Sequence, residues 1–291
     1  MEHYKRRRLL SRIKAGITVF FVIGVLLRVG LKLKEANGQD LPANVVLQPD
    51  EPEQTTIGPG AMPTAEEVMD HLNDLYRSDG AHTRMTMQIT TENWERTLEM
   101  ESWAQGAEQA LIVIRAPARE AGTATLKTEE GLWNYAPRAD RLMRVPSGMM
   151  SEGWMGSHFS NEDVMRESDY NDDYETTLEL RDEDGESVLV ASSIPLPSAA
   201  VVYTRIDYVM TAQAWIPLRA EFYDEDTLIR TFGYSDVQVV AGRPIPMRLE
   251  IIPHETPDES TVIIYEELDL DADVDDSVFT QRGLRRVAQG R

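Results

Sequence analysis

From Arg84 to Leu270 the apolar residues recur at every second position in short runs, and turn-forming residues separate the runs. Met85, Met87 and Ile89 alternate with Arg84, Thr86 and Gln88, and Trp94, Arg96, Leu98 and Met100 alternate with Glu95, Thr97, Glu99 and Glu101. A period of two is the period of a strand, so each run presents one dry face and one wet face. Ala110–Arg115, Thr123–Thr128, Leu132–Tyr135 and Arg141–Val145 continue the first series. A second series flanks the Asp184-Gly185 turn signal with Leu178–Leu180 and Val188–Val190. It runs on through Val201–Val209, Pro217–Tyr223, Leu228–Ser235, Pro246–Ile252 and Thr261–Leu270. About 11 or 12 strands with two or three helices predict a mainly β, α+β chain built on one large antiparallel meander over residues 63–291. A sheet of that size must curl or close, and a helix laid in its concavity would seal the apolar face.

Two helices have readable starts. Thr64-Ala65-Glu66-Glu67 is a capping box, and Val68, Met69, Leu72, Leu75 and Tyr76 form one apolar stripe behind it. Ser78-Asp79-Gly80 is read as its stop, with Gly80 as a left-handed cap. Ser160 is the expected cap of a brief helix at Asn161-Glu162-Asp163.

The N-terminal part follows different rules. Lys5 to Lys14 is basic, Ala15–Leu27 is uncharged and apolar, and Arg28, Lys32 and Lys34 follow. This is the grammar of a secretory signal, and Ala15–Leu33 is close to the short limit of a membrane span. Residues 1–34 are expected to act as a signal anchor or transmembrane segment, with a cleaved signal peptide as the alternative. The excess of basic residues in front keeps the N-terminus cytoplasmic and sends the body outward. Residues 35–62, rich in Pro and Gly, read as a flexible tether.

Charge excludes one class of function. The chain carries a formal net charge of -21, and residues 1–34 hold nine Lys/Arg against one acid. The remainder therefore has 20 basic against 49 acidic residues, and Lys127 is its single lysine. Such a body repels nucleic-acid phosphate and anionic headgroups, which argues against nucleic acid as a partner. With no cysteine there is no disulfide framework, thiolate metal site or cysteine nucleophile.

The densest aromatic and methionine stretch is Gly131 to Val164, broken by Pro137, Pro146, Gly148, Gly153 and Gly156. Large apolar side chains on irregular backbone either plug a core or cover a ligand. Its expected role is the wall and lid of an apolar cavity. Met85, Met87, Ile89, Leu98, Met100, Leu126, Trp133 and Met143 are the candidate wall, and Met149, Met150, Trp154, Met155 and Phe159 the candidate lid. Methionines suit such a pocket because their thioethers adapt to varied chains. The same residues would also serve as an ordinary filled core.

Sites of other kinds are poorly supported. Asp269, Asp271, Asp273 and Asp275 alternate like a calcium loop, but Val274 stands where glycine is needed and Thr280 where a bidentate glutamate is needed. His71 and His82 flank a helix end and read as solvated rather than as metal ligands. His158 lies among Ser157, Ser160 and Asp163, yet no nucleophile elbow or oxyanion loop accompanies it. No P-loop or dinucleotide fingerprint is present, so neither a metal, a cofactor nor catalysis is expected.

Several strings come in the order and spacing of a known family. They are Arg96-Thr97-Leu98-Glu99-Met100, Pro117 through Leu126, Leu132-Trp133-Asn134-Tyr135 with Pro137, and Trp154-Met155-Gly156-Ser157 with Phe159, Asn161 and Asp163. Asp275-Asp276-Ser277-Val278-Phe279 closes the match, which covers about residues 63–288. Together they resemble the outer-membrane lipoprotein-sorting proteins, the LolA-like group within the LolA/LolB/RseB superfamily. His158 departs from the family string, where an aspartate is expected. The resemblance implies an incompletely closed antiparallel β-barrel with helices covering its mouth, an apolar pocket for acyl chains, and a periplasmic setting beside an inner-membrane exporter. It leads to a lipid or lipoprotein carrier or acceptor that is anchored rather than shuttling. The alternatives are an envelope sensor or transporter accessory subunit that binds without transferring, and a lipid-ester hydrolase using His158.

Overall fold

The computed structural model describes residues 62–290 except 77, 107, 166–172, 198, 200 and 201. The expected membrane segment over residues 1–34 and nearly all of the linker over 35–62 lie outside the described residues. No helix among the described residues is long and apolar enough to cross a membrane.

Thirteen strands form a single antiparallel sheet. In chain order they are β1 (Gly80–Thr90), β2 (Glu95–Gln105), β3 (Gln109–Ala116), β4 (Ala124–Thr128), β5 (Gly131–Ala136), β6 (Arg141–Arg144), β7 (Tyr174–Glu183), β8 (Glu186–Pro195), β9 (Arg205–Thr211), β10 (Pro217–Asp224), β11 (Thr227–Val240), β12 (Arg243–Pro253) and β13 (Ser260–Asp269). Their spatial order is β6-β5-β4-β3-β2-β1-β13-β12-β11-β10-β9-β8-β7. Every neighbour is a sequence neighbour except in the middle, where β1 pairs with β13 from His82 opposite Asp269 to Thr90 opposite Ser260. The outer strands β6 and β7 do not pair with each other, so the barrel stays open. The expected architecture is the observed one, with slightly more strands than the count of 11 or 12. At the β7–β8 turn Asp184 and Gly185 both take positive φ, 54° and 87°, the hairpin geometry that this dipeptide favours.

The alternation decides which residues meet. Met85, Met87, Ile89, Leu98, Met100, Ile112, Ile114, Leu189, Phe222, Phe232, Leu249 and Ile263 belong to one buried cluster drawn from both halves of the sheet. That cluster marks the concave face. Helix α1 (Ala65–Asp74) lies in it through Val68, Met69 and Leu72. Its N-terminus has the expected capping box: the Glu67 amide donates to Thr64 Oγ1 at 3.2 Å, and the Thr64 amide to Glu67 Oε2 at 2.7 Å. Gly80 differs from expectation. The helix ends earlier, and Gly80 opens β1 with a backbone that bridges Asp271. Glycine is needed there because a Cβ would stand 2.2 Å from the Ala272 carbonyl oxygen, not because φ is positive.

A smaller cluster covers the opposite, convex face. Leu111, Val113, Ala124, Leu126 and Tyr135 pack there against Val278, Phe279 and Leu284, with Trp133 and Leu142 at the margin. Helix α3 (Gln281–Ala288) supplies this cover, and helix α2 (Asn161–Met165) belongs to the concave side through Val164.

Candidate functional site

The segment between β6 and α2 is held by its own polar groups rather than by regular structure. The Trp154 amide donates to the Phe159 carbonyl at 2.6 Å, and the Ser157 amide to the Trp154 carbonyl at 2.9 Å. Ser157 Oγ donates to that same carbonyl at 2.7 Å and accepts from the Phe159 amide at 3.2 Å. Asn161 Nδ2 reaches the carbonyls of Met149 and Glu152 at 3.0 and 3.2 Å. Ser160 caps α2 as expected: its amide donates to Asp163 Oδ2 at 2.7 Å, and its hydroxyl accepts from the Asp163 amide at 3.0 Å. Trp154 Nε1 donates to Thr125 Oγ1 at 3.0 Å, and Thr125 Oγ1 donates onward to Asn134 Oδ1 at 3.0 Å. The string that looked like a lid is thus clamped onto the concave face of β4 and β5.

Asp163 carries the strongest clamp. It meets Arg230 of β11 end-on, with Nη1 donating to Oδ2 at 2.9 Å and Nη2 to Oδ1 at 3.0 Å. The guanidinium also lies 4.8 Å from the ring centres of Phe222 and Phe232 and 5.1 Å from that of Tyr203. Stacked rings and a two-pronged carboxylate are the environment in which a buried arginine is tolerated. Burial raises the Tyr203 phenol above its ordinary pKa, and the neighbouring Arg230 partly offsets this.

Among the described residues, three cavities open around the clamped segment. The first, about 360 Å³, lies between the concave face of β2–β6 and the Met155-Gly156 turn. Arg96, Ile114, Thr123, Asn134, Met143 and Met155 line it, with Ala136 at the wall. Arg96 Nη1 donates to the Met155 carbonyl at 2.8 Å, and the same guanidinium is ion-paired to Glu120. Met155 sits at φ 52°, a conformation that turns its carbonyl toward that arginine. The second cavity, about 300 Å³, is of mixed character, with Ser151, His158, Glu162, Asp163 and Arg230 lining it beside Phe159, Val202 and Tyr203. The third, about 440 Å³, lies along the β6 edge between Leu132, Arg144, Val145, Pro146, Met150 and Met165.

The expected wall and lid residues separate into groups. Met85, Met87, Ile89, Leu98 and Met100 are at most 2% exposed and belong, with Trp154 and Phe159, both at 0%, to the buried cluster of the concave face. Of these seven, Phe159 alone reaches one of the three cavities, the second, and the other six line none of them. Leu126 and Trp133 lie on the convex face under α3. Met143 and Met155 meet at the first cavity, Met150 lines the third, and Met149 is exposed at 43%. Sequence reading passed over Arg96, Ile114, Thr123, Asn134 and Ala136 as cavity residues. A signal existed: Arg96 is in phase with Leu98 and Met100, a cation on an apolar face, and Asn134 is in phase with Leu132.

The His158 side chain bonds neither serine. Its Nδ1 is 2.8 Å from Thr261 Oγ1 and its Nε2 3.4 Å from Glu259, while Thr261 is fully buried. Ser157 Oγ is committed to the Trp154 carbonyl. Among the described residues no group of three or more His, Asp or Glu side chains is arranged to hold a metal ion. Asp269 and Asp275 instead accept hydrogen bonds from the amides two residues ahead, at 3.0 and 2.7 Å.

Structural comparison finds this fold in solved proteins. A protein described as an outer membrane lipoprotein-sorting domain from Vibrio parahaemolyticus matches with a TM-score of 0.63 at 21% identity, over 77% of this chain and 100% of its own. A DUF1329 family protein from Desulfovibrio piger matches at 0.67 and 21%, over 76% and 97%. A LolA superfamily protein from Nitrosomonas europaea matches at 0.62 and 21%, over 75% and 98%. A family model described as "Uncharacterized protein" matches residues 106–286, more than half of the chain, and the chain belongs to that family. No curated protein matches.

Proposed function

We propose that this chain is a lipid-handling protein that holds one acyl chain of a lipid or lipoprotein in the cavity under the Met155-Gly156 turn. The observation that carries this reading is the cavity itself, about 360 Å³, with two methionines, Met143 and Met155, among its lining residues. Its volume falls near the lower end of ligand pockets, roughly 300–1,000 Å³, which suits a single chain. The centre of the concavity is occupied by side chains, so the space for cargo lies at the rim between sheet and turn.

Burial drives the capture. Each methylene withdrawn from water contributes ~0.8 kcal/mol, and a bilayer offers a similar gain, so exchange between the two is close to neutral and reversible. In this reading residues 63–291 form the lipid-binding domain, held at the periplasmic face of the inner membrane by residues 1–34 and their tether, beside an exporter that supplies cargo. Titration with a fluorescent fatty acid tests it. Saturable binding is expected, lost about tenfold or more in Ala136→Phe, which fills the cavity, and retained in Met149→Ser, which lies outside it. Absence of saturable binding, or indifference to Ala136→Phe, would overturn it.

A further inference from the structure

The acidic average of the body hides an uneven distribution along the sheet. The β7–β8 hairpin at one open edge carries Glu179, Asp182, Glu183, Asp184 and Glu186 against Arg181. The β6 edge, at the far end of the strand order, carries Arg138, Arg141 and Arg144 against Asp140. Folding concentrates further charge there. The loop after β3 places Arg119 beside Arg138, whose Nη2 donates to the Arg119 carbonyl at 3.0 Å. Helix α3 brings Arg285, whose Nε meets Asp140 Oδ1 at 3.0 Å and neutralises the one acid of the turn. Glu120 is taken by Arg96 and Arg119. Arg138 and Arg141 are exposed and form no ion pair among the described residues. Met143, 45% exposed, stands on the same short strand and also lines the first cavity.

We propose that this β6 edge is the face by which the protein docks on an anionic lipid bilayer. The occupant follows from charge and chemistry together. Exposed arginines beside an exposed methionine fit a surface that is negative at the headgroups and apolar just beneath. Screening limits each interaction to about 8 Å at physiological salt, so the arginines clustered at the β6 edge, and not the average charge of the body, set the field that a surface meets there. The acidic hairpin is repelled, so the charge distribution selects one orientation, with the cavity mouth toward the lipid. This inference rests on the acyl-chain reading for its purpose but not for its measurement.

The absence of native cysteine allows the test in the full-length chain. Single labels at Ala139→Cys and, on the acidic hairpin, Ser187→Cys are read by energy transfer to headgroup acceptors in reconstituted phosphatidylcholine liposomes, with and without phosphatidylglycerol. Strong transfer is expected from position 139 only, only with phosphatidylglycerol, and it should fade in high salt. Arg138→Glu with Arg141→Glu should lower the docked-to-undocked ratio roughly tenfold or more. Fatty-acid titration of that double variant should match the wild type. Equal transfer from both labels, or transfer indifferent to lipid charge or to charge reversal, would overturn docking and leave an acidic protein as the partner of this edge. If the wild type fails to take up fatty acid while transfer from position 139 persists, the cavity reading falls and docking stands.

Discussion

Asp163 and Arg230 join the short helix of the clamped segment to the far half of the sheet through two parallel hydrogen bonds of 2.9 and 3.0 Å, with side chains only 1% and 10% exposed. A pair this dry is vulnerable to loss of one partner. Asp163→Asn should strand the guanidinium among Phe222, Phe232 and Tyr203 and cost about 3–5 kcal/mol. Asp163→Leu combined with Arg230→Met should recover most of that loss, because well-packed apolar groups replace a buried ion pair at little cost. Urea unfolding of the three proteins measures both steps; equal stability of Asp163→Asn and wild type would contradict this account.

The relay from Trp154 through Thr125 to Asn134 makes a second prediction. Thr125→Val keeps the shape of the side chain but leaves the indole N–H buried without an acceptor. The expected destabilisation is about 1–3 kcal/mol, read as a lower denaturant midpoint with unchanged slope.

Acid should act on α1 through His71. Burial lowers its pKa below the ordinary histidine value, with Asp74 partly offsetting this, and its ring stands edge-on to Trp215 at 5.5 Å. Because the unfolded chain takes up the proton first, the stability tied to neutral His71 is complete above about pH 6.5. It is lost as pH falls from there through the lower folded value. Thermal midpoints of wild type and His71→Phe across pH 7.5 to 5 should diverge in slope, the variant being flatter. Parallel curves would exclude His71 as the source.

Helix α3 is held by a close approach at Gly283, where a Cβ would fall 1.9 Å from the Ser277 carbonyl oxygen. Gly283→Ala should therefore lift the helix from Leu126 and Trp133 at a cost of about 1–3 kcal/mol. Hydrogen exchange should show the loss of protection confined to β3–β5 and the C-terminal helix.

How much of this was legible in the sequence depends on how local the cause is. Period-two alternation, the Thr64–Glu67 box, the Asp184-Gly185 turn and the Ser160 cap are written within a few residues, and the structure has them. The face assignment of Leu126 and Trp133 was not legible, because a β-sheet covered on both sides makes either phase of the alternation apolar. The partner of Asp163 lies 67 positions away on β11, and only an arginine in phase with Phe232 and Tyr234 hinted at it. Gly80 misled for a related reason: its constraint comes from Ala272, far along the chain, whereas the local Ser-Asp-Gly pattern suggested a helix stop.

The pairing of β1 with β13 has a consequence for how the molecule is made. The strand at residues 80–90 leaves the ribosome early, finds β2 at once, and then keeps its other edge bare until the strand at residues 260–269 arrives. Two meanders can form separately, but their seam closes only once residues 260–269 have emerged, so assembly should be slow relative to a sheet of purely sequential hairpins. During that wait Arg84, Thr86 and Gln88 are the residues that keep a ready-made template from recruiting a neighbouring chain.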